Sequence, residues 1–116
     1  MSKASKYLDH FKAYRVIEGK AIEKEVTLVD QFDKEKNVVL RPVLFCVPVA
    51  KTHGDKTTKI INARDHLVVY ELKPQEHDVK FEVSDQFSEN TLKTSACVWL
   101  CVPSAKLKFE EIKRRP

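Results

Sequence analysis

The chain is written twice, and that duplication limits its fold more than any other feature. "DHFKAYRV" (Asp9–Val16) aligns with "DHLVVYEL" (Asp65–Leu72) 56 positions on, which matches His10 to His66 and Tyr14 to Tyr70. "VTLVDQF" (Val26–Phe32) aligns with "FEVSDQF" (Phe81–Phe87) at 55 positions, so Asp30, Gln31 and Phe32 recur as Asp85, Gln86 and Phe87. At that same spacing "CVPVAK" (Cys46–Lys51) meets "CVPSAK" (Cys101–Lys106), matching Cys46 and Pro48 to Cys101 and Pro103. Three landmarks in one order make a tandem duplication, with units of about residues 9–52 and 65–107 joined by a linker over 53–64. A half this small cannot bury a hydrophobic face alone. The halves are therefore expected to share one core in a single domain over residues 1–116, related by a pseudo-two-fold axis.

Within each unit the pattern is that of strands. "FKAYRVI" and "LVVYEL" are rich in β-branched and aromatic residues, while "EKEVTLV" and "VKFEVS" alternate apolar with polar. "NVVLRPVLFCVPV" and "TLKTSACVWLCV" each read as one or two strands, with Pro42 marking a bend or an edge. Turns are expected at "IEGK" (17–20), "DKEKN" (33–37), "KPQEHD" (73–78) and "SEN" (88–90). Helical signal is confined to the ends, a short helix in "SKASKYLDHF" and a turn in "KFEEIKRR". The expected fold class is all-β, an antiparallel sandwich or small barrel.

Composition narrows the class of function. Charged residues at 33% and hydrophobic ones at 42% describe a globular chain, not a disordered one. At 116 residues it buries about 65% of its unfolded surface, so stability requires neither metal nor disulfide. With only Gly19 and Gly54, glycine-rich phosphate loops are excluded. The longest apolar run, "VLFCVPVA" (Val43–Ala50), is too short to cross a bilayer, and no membrane contact is expected. "SKASKYLDHFKAYR" after Met1 lacks a signal peptide's apolar core, which leads to the expectation of a cytoplasmic protein. The net charge of +4 is mild and gathers at the ends, in Lys3, Lys6, Lys106, Lys108, Lys113, Arg114 and Arg115. Such clusters are solvated tails or contacts for a polyanion or acidic partner.

The residues with chemical potential read mainly as structural. Cys97, Trp99 and Cys101 fall on one face of a strand. Zinc pairs prefer turns and closer spacing, and only Cys46 and four scattered histidines remain to complete a site. Within one straight strand the geometry disfavours a Cys97–Cys101 disulfide, with Cα atoms about 13 Å apart. Cys46 and Cys101, equivalent in the repeat, read as buried small hydrophobes; a bridge between them would need the two sites to meet at the axis. His10 and His66 each follow an aspartate, but strand neighbours point to opposite faces, and no nucleophile signature accompanies them. They read as turn-capping or backbone-bonding groups. In "DQF" the phenylalanines are expected in the core, with the Asp and Gln bonding turn backbone; Ca²⁺ would need more oxygen ligands. Lys12, Tyr14 and Arg15, with Lys80 and Phe81, interleave basic and aromatic residues as single-strand binders do, and equally as a core face beside a solvated face.

These motifs together resemble a bacterial tandem-repeat family of unknown function, whose units carry H-[LF]-x-C-Y, then D/N-Q-F-G, then L-C-x-P-[VS]-x-K. Here they stand as "HFKAY" and "HLVVY", "DQFD" and "DQFS", and "LFCVPVAK" and "LCVPSAK", covering about Asp9 to Lys106. The resemblance implies a long, exported, cysteine-paired family of structural or binding modules without catalytic residues. Where that family has its first cysteine, this chain has Ala13 and Val69. The resemblance thus implies that Cys46 and Cys101 are retained halves of former disulfides, now core residues, which suits a reducing interior. Asp33 and Ser88 replace the family's glycine.

The expectation is a non-catalytic interaction or structural module, a small subunit or accessory component of a larger assembly, with a protein partner or homo-oligomerisation. Nucleic-acid association through the basic termini is the alternative. No catalytic residue, metal or cofactor is expected.

Overall fold

The computed structural model describes residues 7–112, and every regular element among them is a β-strand. The strands are β1 (His10–Arg15), β2 (Lys24–Val29), β3 (Lys34–Val49), β4 (Lys51–His53), β5 (Lys56–Thr58), β6 (His66–Ser84) and β7 (Glu89–Ser104). The main sheet runs β1-β3-β6-β7, with β2 also on β3, and every pairing is antiparallel. β1 lies along the C-terminal half of β3 and β2 along its N-terminal half. The fold is all-β, and its main sheet is open, not closed into a barrel.

The two halves of the sequence repeat one another strand for strand. His10 pairs with Val49 and Arg15 with Leu44; at the equivalent places His66 pairs with Ser104 and Glu71 with Trp99. Lys24–Val39 and Val29–Lys34 likewise become Val79–Thr94 and Ser84–Glu89. A one-residue slip would turn every side chain to the wrong face, so register is where the shared apolar pattern acts.

The strand order corrects one expectation. A two-fold axis normal to the sheet would place the equivalent strands β1 and β6 both outside or both inside. The observed order β1-β3-β6-β7 repeats the pair in the same sense. The halves are related by translation across the sheet.

The helix expected near the N-terminus is also corrected within the described residues, because His10 and Phe11 are held in β1 opposite Val49 and Pro48. Residues 105–112 form no helical turn. "KPQEHD" is not a turn: the segment stays within β6, and register shifts between Glu71 and Gln75 and between Glu76 and Val79 absorb it. Pro74 sits in the first of these, where no ladder donor is required. The tight turns lie upstream of "DKEKN" and "SEN", at 30–33 and 85–88, because the aspartate of each "DQF" organises them. Pro42 lies inside β3, beside register shifts in the β3–β6 ladder.

The β3–β6 ladder ends at Val39↔Leu72. Beyond that point the sheet divides into two hairpin arms, β2 with Lys34–Val39 and Val79–Ser84 with Glu89–Thr94. Gln75 Nε2 bridges them by donating to the Lys36 carbonyl at 2.6 Å. The tip of the second arm bonds Lys51, beyond the far end of β3, so that arm folds back across the sheet. Val39, Cys46, Val69 and Leu72 form the buried apolar core near the division, with Leu72 fully buried.

The expected linker contains a hairpin of its own. β4 pairs with β5 through Gly54-Asp55, with Gly54 at φ 66°. Positive φ at the first central residue alone is the pattern of a II′ turn, which requires glycine there.

Candidate functional site

The repeated "DQF" motif builds two matching turns. Asp30 Oδ1 accepts from the N–H groups of Phe32 and Asp33 at 2.8 and 3.1 Å, while the Asp30 N–H donates to the Asp33 carbonyl. Asp85 does the same with Phe87 and Ser88 at 2.8 and 3.1 Å. Donation by the Phe32 and Asp33 amides holds the Asp30 carboxyl below its usual range, and the Phe87 and Ser88 amides do so for Asp85. Neither Asp33 nor Ser88, which close these turns, has positive φ, so neither position requires glycine.

Phe32 and Phe87 do not enter the core; both are exposed. Each turn lies at an arm's tip. Phe32 meets Phe81 edge-on at 5.4 Å, and Phe87 lies under the Lys51 ammonium at 4.4 Å and against His53. Gln86 bonds Lys51 and Thr58, whereas Gln31 is exposed.

The densest polar cluster lies between the arms, beside a 280 Å³ cavity lined by Leu28, Phe32, Val79 and Phe81 among others. His77 Nδ1 stands 2.8 Å from Asp33 Oδ2, and Asp33, Glu35 and His77 could each offer a ligand atom, all within 4.8 Å of one another. Desolvation raises the Glu35 carboxyl, and neighbouring Asp33 raises it further. Cys97 borders the same cavity. Its thiol is pushed up by burial and then by Glu35, Asp30 and Asp33, the opposite of what a nucleophilic cysteine needs. In the second unit Ser88 and Asn90 replace Asp33 and Glu35, so the cluster belongs to one arm only. Sequence reasoning missed it. The same-face spacing of Asp33 and Glu35 was visible, but His77 arrives only through the folding of β6.

The histidines of the repeat serve the backbone and linker. His66 Nδ1 lies 3.0 Å from the Arg64 carbonyl, and its ring stacks on Phe45 at 5.4 Å. His10 Nε2 faces Lys51 Nζ at 3.1 Å. Asp9 turns away from His10 and accepts from the Ile61 and Asn62 amides at 2.6 and 3.0 Å. No Asp–His dyad forms at either place.

The cysteines divide. Cys46 is buried, and burial raises its thiol, with nearby Cys101 adding to the effect. Cys97 and Cys101 are exposed, which corrects the expectation of Cys101 in the core: it lies on the last strand of the sheet. Pro48 is buried and Pro103 exposed for the same reason, while Tyr14 is exposed and Tyr70 half-buried. Ala13 and Val69, at the positions compared above with a cysteine, lie directly opposite Cys46 and Cys101. Lys106 caps the Phe109 ring at 4.9 Å and Lys108 is exposed. Lys3, Lys6, Lys113, Arg114 and Arg115 lie outside the described residues.

The most extensive feature is the outer side of β7. Equivalent positions in β3 are buried at Asn37, Val39, Cys46 and Pro48; in β7 the corresponding Leu92, Thr94, Cys101 and Pro103 are all exposed. Trp99 is 53% exposed at the same edge. The surface of 10438 Å² far exceeds the roughly 6,500 Å² of a compact monomer of this mass. The radius of gyration, 16.7 Å, likewise exceeds the roughly 13 Å expected of a compact chain.

A family model matches the sequence of the chain. "Repeat of unknown function (DUF7450)" fits residues 2–103, nearly the whole chain. The chain belongs to this family. That single DUF7450 match takes in both halves of the internal duplication. No curated protein matches the chain, and no solved structure does. No helix among the described residues is long and apolar enough to cross a membrane.

Proposed function

We propose that this DUF7450 chain is a non-catalytic interaction or structural module that works within a larger protein assembly. The observation that carries the reading is the unfinished sheet: a sixteen-residue edge strand without one buried residue, beside a core of four buried apolar side chains. Monomeric proteins rarely leave so much apolar surface and so long a strand edge open.

Size-exclusion chromatography with light scattering and paired 260/280 nm detection, under reducing conditions, tests the reading. The expected result is a concentration-dependent oligomer free of nucleic acid and insensitive to moderate salt. A species that carries nucleic acid and loses it to salt would overturn the reading in favour of polyanion binding.

A further inference from the structure

We infer that the open edge of β7 receives β1 of a second copy of this chain, in the register that joins the two units within one copy. The inference rests on the module reading and names its partner. Inside the chain, β3 of the first unit pairs with β6 of the second through Cys46↔Leu67, Phe45↔Val68, Leu44↔Val69 and Pro42↔Tyr70. β7 is the repeat-equivalent of β3, and β1 that of the first part of β6. Among the described residues β3 uses both edges, β7 uses only the one facing β6, and β1 only the one facing β3. Translation across the sheet therefore leaves one copy of the internal seam's donor edge at one end and one copy of its acceptor edge at the other.

Carrying the seam forward by the repeat spacing places Cys101 opposite Phe11 of the next copy, Leu100 opposite Lys12 and Trp99 opposite Ala13; with the seam's register shift between Pro42 and Leu44 carried to Val98, Cys97 falls opposite Tyr14. The pairs are compatible. The large Trp99 meets the small Ala13, both exposed in the single chain. A tyrosine returns where Tyr70 faces Pro42, and no like charges oppose one another. From Thr94 to Ser104 the strand carries no charged residue. β-Sheet proteins ordinarily blunt a free edge with lysine, proline or a bulge. Here the register shifts of the β6–β7 ladder fall on the β6 side, and the one proline of that stretch is Pro103, near its end. Donor and acceptor edges differ, so the contact is head-to-tail and propagates into a row or closes into a ring.

Site-specific crosslinking tests the register. Lys12→Cys with Leu100→Cys, in a background of Cys97→Ser and Cys101→Ser, places thiols on strand positions directly opposite. Such Cα atoms lie about 4.5–5.5 Å apart, within disulfide range. A bridge within one copy is blocked, because two strands separate β1 from β7, roughly 14 Å across. Mild oxidation should give a reducible ladder of dimers, trimers and larger species that grows with protein concentration. Lys12→Cys with Trp99→Cys, which turns the thiols to opposite faces, should give about tenfold less. Phe11→Cys with native Cys101, in the Cys97→Ser background, tests an adjacent pair should the first variant fold poorly, and should give the same ladder. Equal ladders from the matched and mismatched pairs, or none from any folded variant, would overturn the register. An oligomer by light scattering without a ladder would sink this seam and leave the module reading standing; salt-stripped nucleic acid would sink the module reading itself.

Discussion

Asp30 and Asp85 show how single residues set the geometry of both units. Each carboxylate accepts two backbone amides, which hold its folded pKa below the ordinary aspartate value; Phe32 and Phe87 supply the larger share. Unfolding restores the ordinary value, about 3.9, so the unfolded chain takes up protons first as pH falls. The stability contributed by these turns is present above that value and lost as pH falls through the depressed folded pKa. In urea titrations from pH 5 to pH 2.5, the Asp30→Asn/Asp85→Asn variant should lose less stability than the parent. Parallel losses would contradict the turn geometry. Leu72 offers a separate test, as the one fully buried large side chain among the described residues. Leu72→Ala should cost about 2–5 kcal/mol, against less than about 0.5 kcal/mol for Ile17→Ala at an exposed position. Chemical denaturation measures both, and similar costs would remove Leu72 from the core.

At the scale of elements, the two strand pairs share a register but differ in surroundings. Ala13 faces Cys46 in the β1–β3 ladder, and Val69 faces Cys101 in the β6–β7 ladder. Adding one cysteine should therefore create one disulfide: Ala13→Cys bridges Cys46, and Val69→Cys bridges Cys101. Each variant should lose one free thiol on oxidation and gain a reductant-sensitive rise in Tm, and full thiol counts would refute the facing geometry. Much of this level was legible in the sequence. The spacing of 55–56 residues foretold the matched registers, and period-2 alternation foretold β2 and the second half of β6. The merging of two strands into β6 was not legible, because "KPQEHD" has turn composition and only the β7 ladder keeps it extended. The strand order was hidden too, since a duplication is equally compatible with a two-fold and with a translation. The burial of Phe32, Phe87 and Cys101 was misjudged because apolar character signals a core face without saying whether anything covers it.

For the whole molecule, the decisive fact is that the second unit repeats the first but, among the described residues, has no strand on its outer edge. β3 lies between two strands and holds much of the core; β7 has one partner and no buried residue. The polar cluster at Asp33, Glu35 and His77 was beyond sequence reasoning for the same reason that it occurs once: it depends on how one arm crosses β6. The most direct test of the unfinished sheet is amide hydrogen exchange resolved by residue across β3 and β7, at low and high protein concentration. The account predicts that β3 amides from Leu44 to Cys46, which lie between β1 and β6, are protected throughout. In β7, amides directed at β6 are protected at all concentrations, and the outward ones become protected only as concentration rises. Outward β7 amides as slow as those of β3 at the lowest concentration, or freely exchanging at every concentration, would contradict it.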